Sequence, residues 1–156
     1  MFTLAKRKSR YVLAGLIRSK HAAGVTAVTT RLLTPYKDKC HTITFDKGRE
    51  FAEHEKMAAE LKADIYFANP YHSWEQGLNE NNNGLLRQYF PKDMELTNIT
   101  EEQVQDAVER INYRPQKVLG FRTPHKVFFV GNYATPSNHW LLHFELESAY
   151  EEKNKN

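Results

Sequence analysis

Short apolar runs alternate with amphipathic stretches along this chain, and their order predicts an α/β fold. Phe2–Leu4 and Tyr11–Ile17 are expected to be strands joined by a basic turn, Lys6-Arg7-Lys8-Ser9-Arg10. The second, rich in Val, Leu and Ile, is expected to be buried. Ala22–Leu33 places Ala23, Val25, Val28, Leu32 and Leu33 at roughly helical spacing and ends before Thr34-Pro35. His41–Phe45 alternates Ile43 and Phe45 with threonines, which predicts a strand. Glu50–Leu61 is expected to be helical, with Phe51, Met57, Ala58 and Leu61 inward, and Asp64–Phe67 to be a short strand. Asn69–Gln76 is read as an aromatic loop and Leu78–Tyr89 as a helix, with Leu78, Leu85, Leu86 and Tyr89 in the core. Thr100-Glu101-Glu102-Gln103 is a capping box opening a helix to about Asn112. Thr123-Pro124 starts a last short helix to about Phe129. The order β-β-α-β-α-β-α-α is an alternating α/β pattern.

At 156 residues the chain is about one domain. A hydrophobic content of 40% and an aromatic content of 12% argue for a packed core. No apolar run reaches the ~18 residues of a membrane span, and the start has the wrong order of charge and apolar residues for a signal peptide. The single cysteine, Cys40, fits a reducing cytoplasm. A net charge of +3 and a pI of 8.9 permit a nucleic-acid partner without requiring one.

The chemistry is carried by two carboxylates. Asp46 ends the apolar run His41-Thr42-Ile43-Thr44-Phe45, and Glu80 sits on the helix that follows the aromatic loop. Alone, an Asp at a strand end is usually a turn or cap residue and a Glu on a helix is usually solvated. Together, a strand-end carboxylate and a helix carboxylate can converge at the edge where open α/β sheets bind ligands. Hard divalent cations take such oxygen donors, and two of them can clamp the attacking and leaving oxygens of a phosphoryl transfer.

The surrounding words favour that pairing. Phe45-Asp46-Lys47-Gly48-Arg49-Glu50-Phe51, Pro70-Tyr71-His72-Ser73-Trp74-Glu75-Gln76-Gly77-Leu78-Asn79-Glu80-Asn81, Arg87-Gln88-Tyr89-Phe90-Pro91-Lys92 and Asn112-Tyr113-Arg114-Pro115 occur in that order. From about Phe2 to about Gly131 the chain resembles the catalytic core of bacterial insertion-sequence transposases of the IS-thirty family, DDE recombinases related in fold to retroviral integrases. The resemblance implies a ribonuclease-H-like, integrase-type α/β core: a mixed sheet flanked by helices. It also implies a first central strand with a catalytic Asp, upstream of Thr3–Arg10, which this chain lacks. The expected division is a truncated core over 1–131 and an unmatched, partly disordered tail over 132–156. Without the central strand, Phe2–Leu4 is expected either to pair directly with His41–Phe45 or to leave open strand edges.

The resemblance makes Asp46 and Glu80 catalytic metal ligands for Mg²⁺ or Mn²⁺, two ions in the intact family. It makes DNA the partner, as element ends and target, with a second copy or a full-length transposase as the protein partner. Asn83, Gly84 and Arg87 follow Glu80 on one helix face, and Arg87 is expected to hold a phosphate. Trp74 is expected either to stack on a DNA base or to pack under the aromatic loop. Arg114, with Arg110, Lys117, Arg122 and Lys126, could add a basic surface for the DNA backbone. The Lys6–Arg10 turn is read as a solvated charge run and Gly48 as a turn glycine. Lys47 departs from the family's usual Asn and places an ammonium beside Asp46. A missing carboxylate and this lysine keep a second function open, that of a non-catalytic remnant or a DNA- or transposase-binding fragment.

Overall fold

The computed structural model describes residues 1–17, 21–45, 48–68, 73–130 and 139–144; for 73–76, 79, 96 and 139–144 it describes the backbone. The strands are β1 (Phe2–Lys6), β2 (Val12–Gly15), β3 (Thr42–Phe45), β4 (Asp64–Phe67) and β5 (His139–Phe144). The helices are α1 (Ala22–Leu33), α2 (His54–Leu61), α3 (Ser73–Arg87), α4 (Glu101–Asn112) and α5 (Pro124–Val130). The strands form one mixed sheet in the order β2-β1-β5-β3-β4.

β1 and β2 form an antiparallel hairpin, with Phe2 opposite Gly15 and Ala5 opposite Val12. Its turn is closed by the Lys6 amide on the Tyr11 carbonyl and the Arg10 amide on the Lys6 carbonyl, both at 2.8 Å. β3 and β4 are parallel and are linked through α2, as a crossover requires. The capping box forms as expected: the Gln103 amide donates to Thr100 Oγ1 at 3.2 Å and the Thr100 amide donates to Gln103 Oε1 at 2.9 Å.

Every residue of β1 is buried, the pattern of a strand covered on both faces. On one face Phe2, Leu4, Leu13, Ile43 and Phe45 meet Val25 and Leu33 of α1 and Met57 and Leu61 of α2. On the other, Val12 and Ala14 meet Leu86 of α3 and Val104, Val108 and Ile111 of α4, while Leu78 of α3 sits on Ala5. Among the described residues no helix is long and apolar enough to cross a membrane.

The central position of the sheet departs from expectation. β1 neither pairs with β3 nor leaves an open edge on that side. β5, from the segment expected to be an unmatched tail, lies between them. It is antiparallel to β1, from Phe2 opposite Phe144 to Lys6 opposite Trp140, and parallel to β3, from Thr42 opposite His139 to Phe45 opposite Leu142. The reason is backbone accounting: two facing edges inside a covered sheet hold donors and acceptors that water cannot reach, and one strand satisfies both ladders. His139-Trp140-Leu141-Leu142-His143-Phe144 has the aromatic and apolar content of a strand, a local signal that comparison with the family hides.

Three smaller expectations also change. The Glu50–Leu61 helix is divided: a 3₁₀ turn, Arg49–Phe51, precedes α2, and the Phe51 ring stacks on Phe45 with centroids 4.4 Å apart. The third helix begins at Ser73, so Trp74, Glu75 and Gln76 belong to its first turns rather than to a loop. Ser73-Trp74-Glu75-Gln76 has the sequence form of a capping box, a start signal masked by the aromatic neighbours. Tyr89 lies beyond α3 and is 39% exposed, outside the core.

Candidate active site

β3 runs into the helix-covered centre of the sheet and ends at Phe45, which is fully buried. Asp46 and Lys47 follow it directly and lie outside the described residues, as do Tyr71 and His72. Gly48, expected to be a turn glycine, re-enters with φ −166, extended backbone that any residue adopts. A Cβ there would meet only the carboxylate end of the Glu50 side chain, which can swing aside.

α3 crosses the face of β1 and β5, anchored by Leu78 and Leu86. Glu80 is exposed on it. The expected row from Glu80 to Arg87 is not uniform. Gly84 is exposed and Arg87 half-buried, but Asn83 is only 9% exposed, with an Oδ1 that has no hydrogen-bond partner. Asn82, which the sequence did not single out, is 2% exposed, and neither of its amide atoms has a partner. Its spacing from Leu78 and Leu86, four residues either way, places it in the buried stripe. The exposed Glu80 carboxylate is a hard oxygen donor of the kind a divalent cation takes. Among the described residues no group of three or more His, Cys, Asp or Glu side chains could hold a metal.

Arg114 is exposed. α4 begins beside Leu16, where Glu101 Oε2 accepts the Leu16 amide at 3.1 Å, and ends beside Val12. Strand register puts Leu16 towards the end of the sheet where Asp46 follows β3, and Val12 back towards its start. Arg114 follows on from the Val12 end of α4, next to Tyr113, whose ring stacks on His125 with centroids 4.4 Å apart.

At that far end Lys6 corrects the view of the basic turn as a solvated run. It is buried. Its Nζ stands 4.8 Å from the Phe128 centroid and donates to the Lys39 carbonyl at 3.3 Å, and Lys39 Nζ also lies 4.8 Å from the same ring. Tyr11 stacks on the same Phe128 at 4.5 Å. Burial, then repulsion from Lys39, lowers the Lys6 ammonium to about 8. Burial also pushes the Cys40 thiol up to about 11 and, with the Tyr36 hydroxyl at 3.5 Å, raises the Tyr11 phenol.

No protein-family model matches the chain. It is 41% identical over 128 residues to the transposase for insertion sequence element IS4351 of Bacteroides fragilis, covering 82% of this chain and 39% of that protein. It is 36% identical over 126 residues to transposase InsI for insertion sequence element IS30A of Escherichia coli K12, covering 80% of this chain and 33% of that protein. The chain thus spans only a third to two fifths of these relatives' length. In fold it resembles the catalytic core domain of BIV integrase, with a TM-score of 0.65 at 20% identity over 83% of this chain and 86% of that one. A simian T-cell lymphotropic virus intasome structure gives the same TM-score at 18% identity, over 87% of this chain and 53% of that one. Over most of its length, then, the chain belongs to the IS30-type family of insertion-sequence transposases, on the ribonuclease-H-like fold of integrase catalytic cores.

Proposed function

We propose that this chain is a catalytic-core portion of a DDE transposase whose chemistry is the cutting and joining of DNA strands by phosphoryl transfer. The observation that carries the proposal is the placement of α3. The helix bearing Glu80 lies over the central strands of an integrase-type sheet, beside the strand after which Asp46 comes. Asp46 and Glu80 would hold Mg²⁺ or Mn²⁺, which supplies charge stabilisation for the oxygens exchanged at phosphorus. Arg87, Asn83 and Trp74 contact the DNA at this edge, and Arg114 contacts it elsewhere. The DNA comprises element ends and target, the protein partner is a second copy or a full-length transposase, and the compartment is the cytoplasm.

The catalytic set implied by the family has three carboxylates, of which Asp46 and Glu80 are two. A second reading, a non-catalytic, DNA- or transposase-binding fragment, is favoured electrostatically by Lys47 beside Asp46 in the sequence. Mn²⁺ titration by calorimetry tests the site. Asp46→Asn should abolish binding and His72→Ala should leave it intact, while unchanged binding in Asp46→Asn removes the site. Divalent-dependent nicking that vanishes in Glu80→Gln would overturn the second reading.

A further inference from the structure

Between α4 and α5 the chain folds back on itself. The Gln116 amide donates to the Arg122 carbonyl at 3.1 Å, and the Gln116 carbonyl accepts the amides of Leu119 and Phe121, both at 3.0 Å. Closing so small a loop takes two successive left-handed residues, Gly120 at φ 63 and Phe121 at φ 62. Glycine adopts that conformation freely, whereas a bulky residue there is a strained outlier. The strain has no packing return, because Phe121 is 72% exposed and the buried anchor of the loop is Leu119. The fold thus holds an aromatic ring in solvent on a rigid, hydrogen-bonded support.

The surroundings select the partner. From Arg110 to Val130 the chain carries five Lys or Arg residues and no Asp or Glu. Arg114, Lys117 and Lys126 are exposed. A cationic segment without carboxylates suits a polyanion, and an aromatic ring held in solvent within it suits the face of an unstacked base. The loop follows directly on α4, whose last residue, Asn112, is bonded to Val12 of β2.

We propose that the Gln116–Arg122 loop is a second DNA contact, in which Phe121 lies against an unstacked base while Arg114, Lys117 and Lys126 neutralise neighbouring phosphates. This rests on the reading that the chain acts on DNA, and the test separates the two. Fluorescence anisotropy of the purified chain is measured with a labelled duplex carrying a two-base mismatch and with its fully paired counterpart. The parent should prefer the mismatched duplex by about tenfold, the scale of one base stacked on an aromatic ring. Phe121→Gly should abolish the preference while raising the thermal midpoint, since it relieves the left-handed strain; Phe121→Trp should keep the preference. Lys117→Gln should lower the slope of log affinity against log salt by about one. Parent binding to both duplexes that is unchanged in Phe121→Gly overturns the loop assignment alone. No binding of either duplex by the parent overturns it together with the DNA reading. Self-association in sedimentation velocity that is lost in Phe121→Gly, with DNA affinity unchanged, assigns the ring to a protein interface instead.

Discussion

Asn112 holds both polar groups of one residue a hundred positions away: its Oδ1 accepts the Val12 amide at 2.8 Å and its Nδ2 donates to the Val12 carbonyl at 2.8 Å. Val12 lies on β2, the edge strand, and α4 completes that edge with side chains. Gln105 Nε2 donates to the Ala14 carbonyl at 2.9 Å, and Glu101, itself paired with Arg31 at 2.7 Å, accepts the Leu16 amide. An edge strand with unmet amides recruits other strands; here three residues of one helix occupy its outward groups.

Asn112→Ala should therefore cost roughly 2–4 kcal/mol, because two backbone groups in a buried setting lose their partner at about 1–3 kcal/mol each. Urea denaturation measures it. A shift no larger than that of an exposed substitution such as Glu102→Ala would show that water replaces the amide at the β2 edge.

β5 should be essential to the core. A chain ending at Val130 leaves the inner edges of β1 and β3 unpaired, and a domain holds only ~5–15 kcal/mol in total. Hydrogen exchange should find strong protection across Phe2–Lys6 and Thr42–Phe45 in the 156-residue chain and its loss in the shortened one, with aggregation through the open edges. Equal protection in both would mean that β1 and β3 close on each other without β5.

Lys6 gives the cluster at the far end a pH dependence of definite sign. Its ammonium is lowered from 10.5 to about 8, so between those values the unfolded chain binds more protons than the folded one and stability rises with pH. Below about pH 8 the cost of burying the charge is present in full. Cys40, raised from 9.0 to about 11, acts in the opposite sense between those values, because the unfolded thiol loses its proton first. The informative quantity is thus the stability of Lys6→Met relative to the parent. It should be most favourable at pH 7 and decline steadily from pH 8 to 10.5, as measured by urea midpoints. A difference that does not vary with pH would show that Lys6 titrates as an exposed lysine.

Asn82 is buried with neither side-chain atom bonded. Asn82→Leu should raise stability by about 1–3 kcal/mol, since an unmet amide is exchanged for an apolar group of similar volume. Chemical denaturation that instead shows a loss would mean that the amide finds a partner in solution.

What the sequence determined by itself was local or periodic. The spacing of Val25, Val28, Leu32 and Leu33 defined α1, Thr100 and Gln103 defined the start of α4, and the alternation of Ile43 and Phe45 with threonines defined β3. Each depends on neighbours a few residues apart, where propensity and capping chemistry act directly. The motifs around Asp46 and Glu80 likewise identified the family, although Asp46 lies outside the described residues. Tertiary structure alone decided what depends on distant backbone. No local pattern says that His139–Phe144 will sit between β1 and β3, since that follows from two strand edges needing one partner. Nor does the word Asn112-Tyr113-Arg114-Pro115 reveal that Asn112 serves Val12 while Arg114 is exposed to solvent. Asn83 and Arg87 share a helix face on paper, yet the sheet beneath α3 buries one more deeply than the other. Burial and edge satisfaction are properties of the assembled layers, set by which surfaces meet.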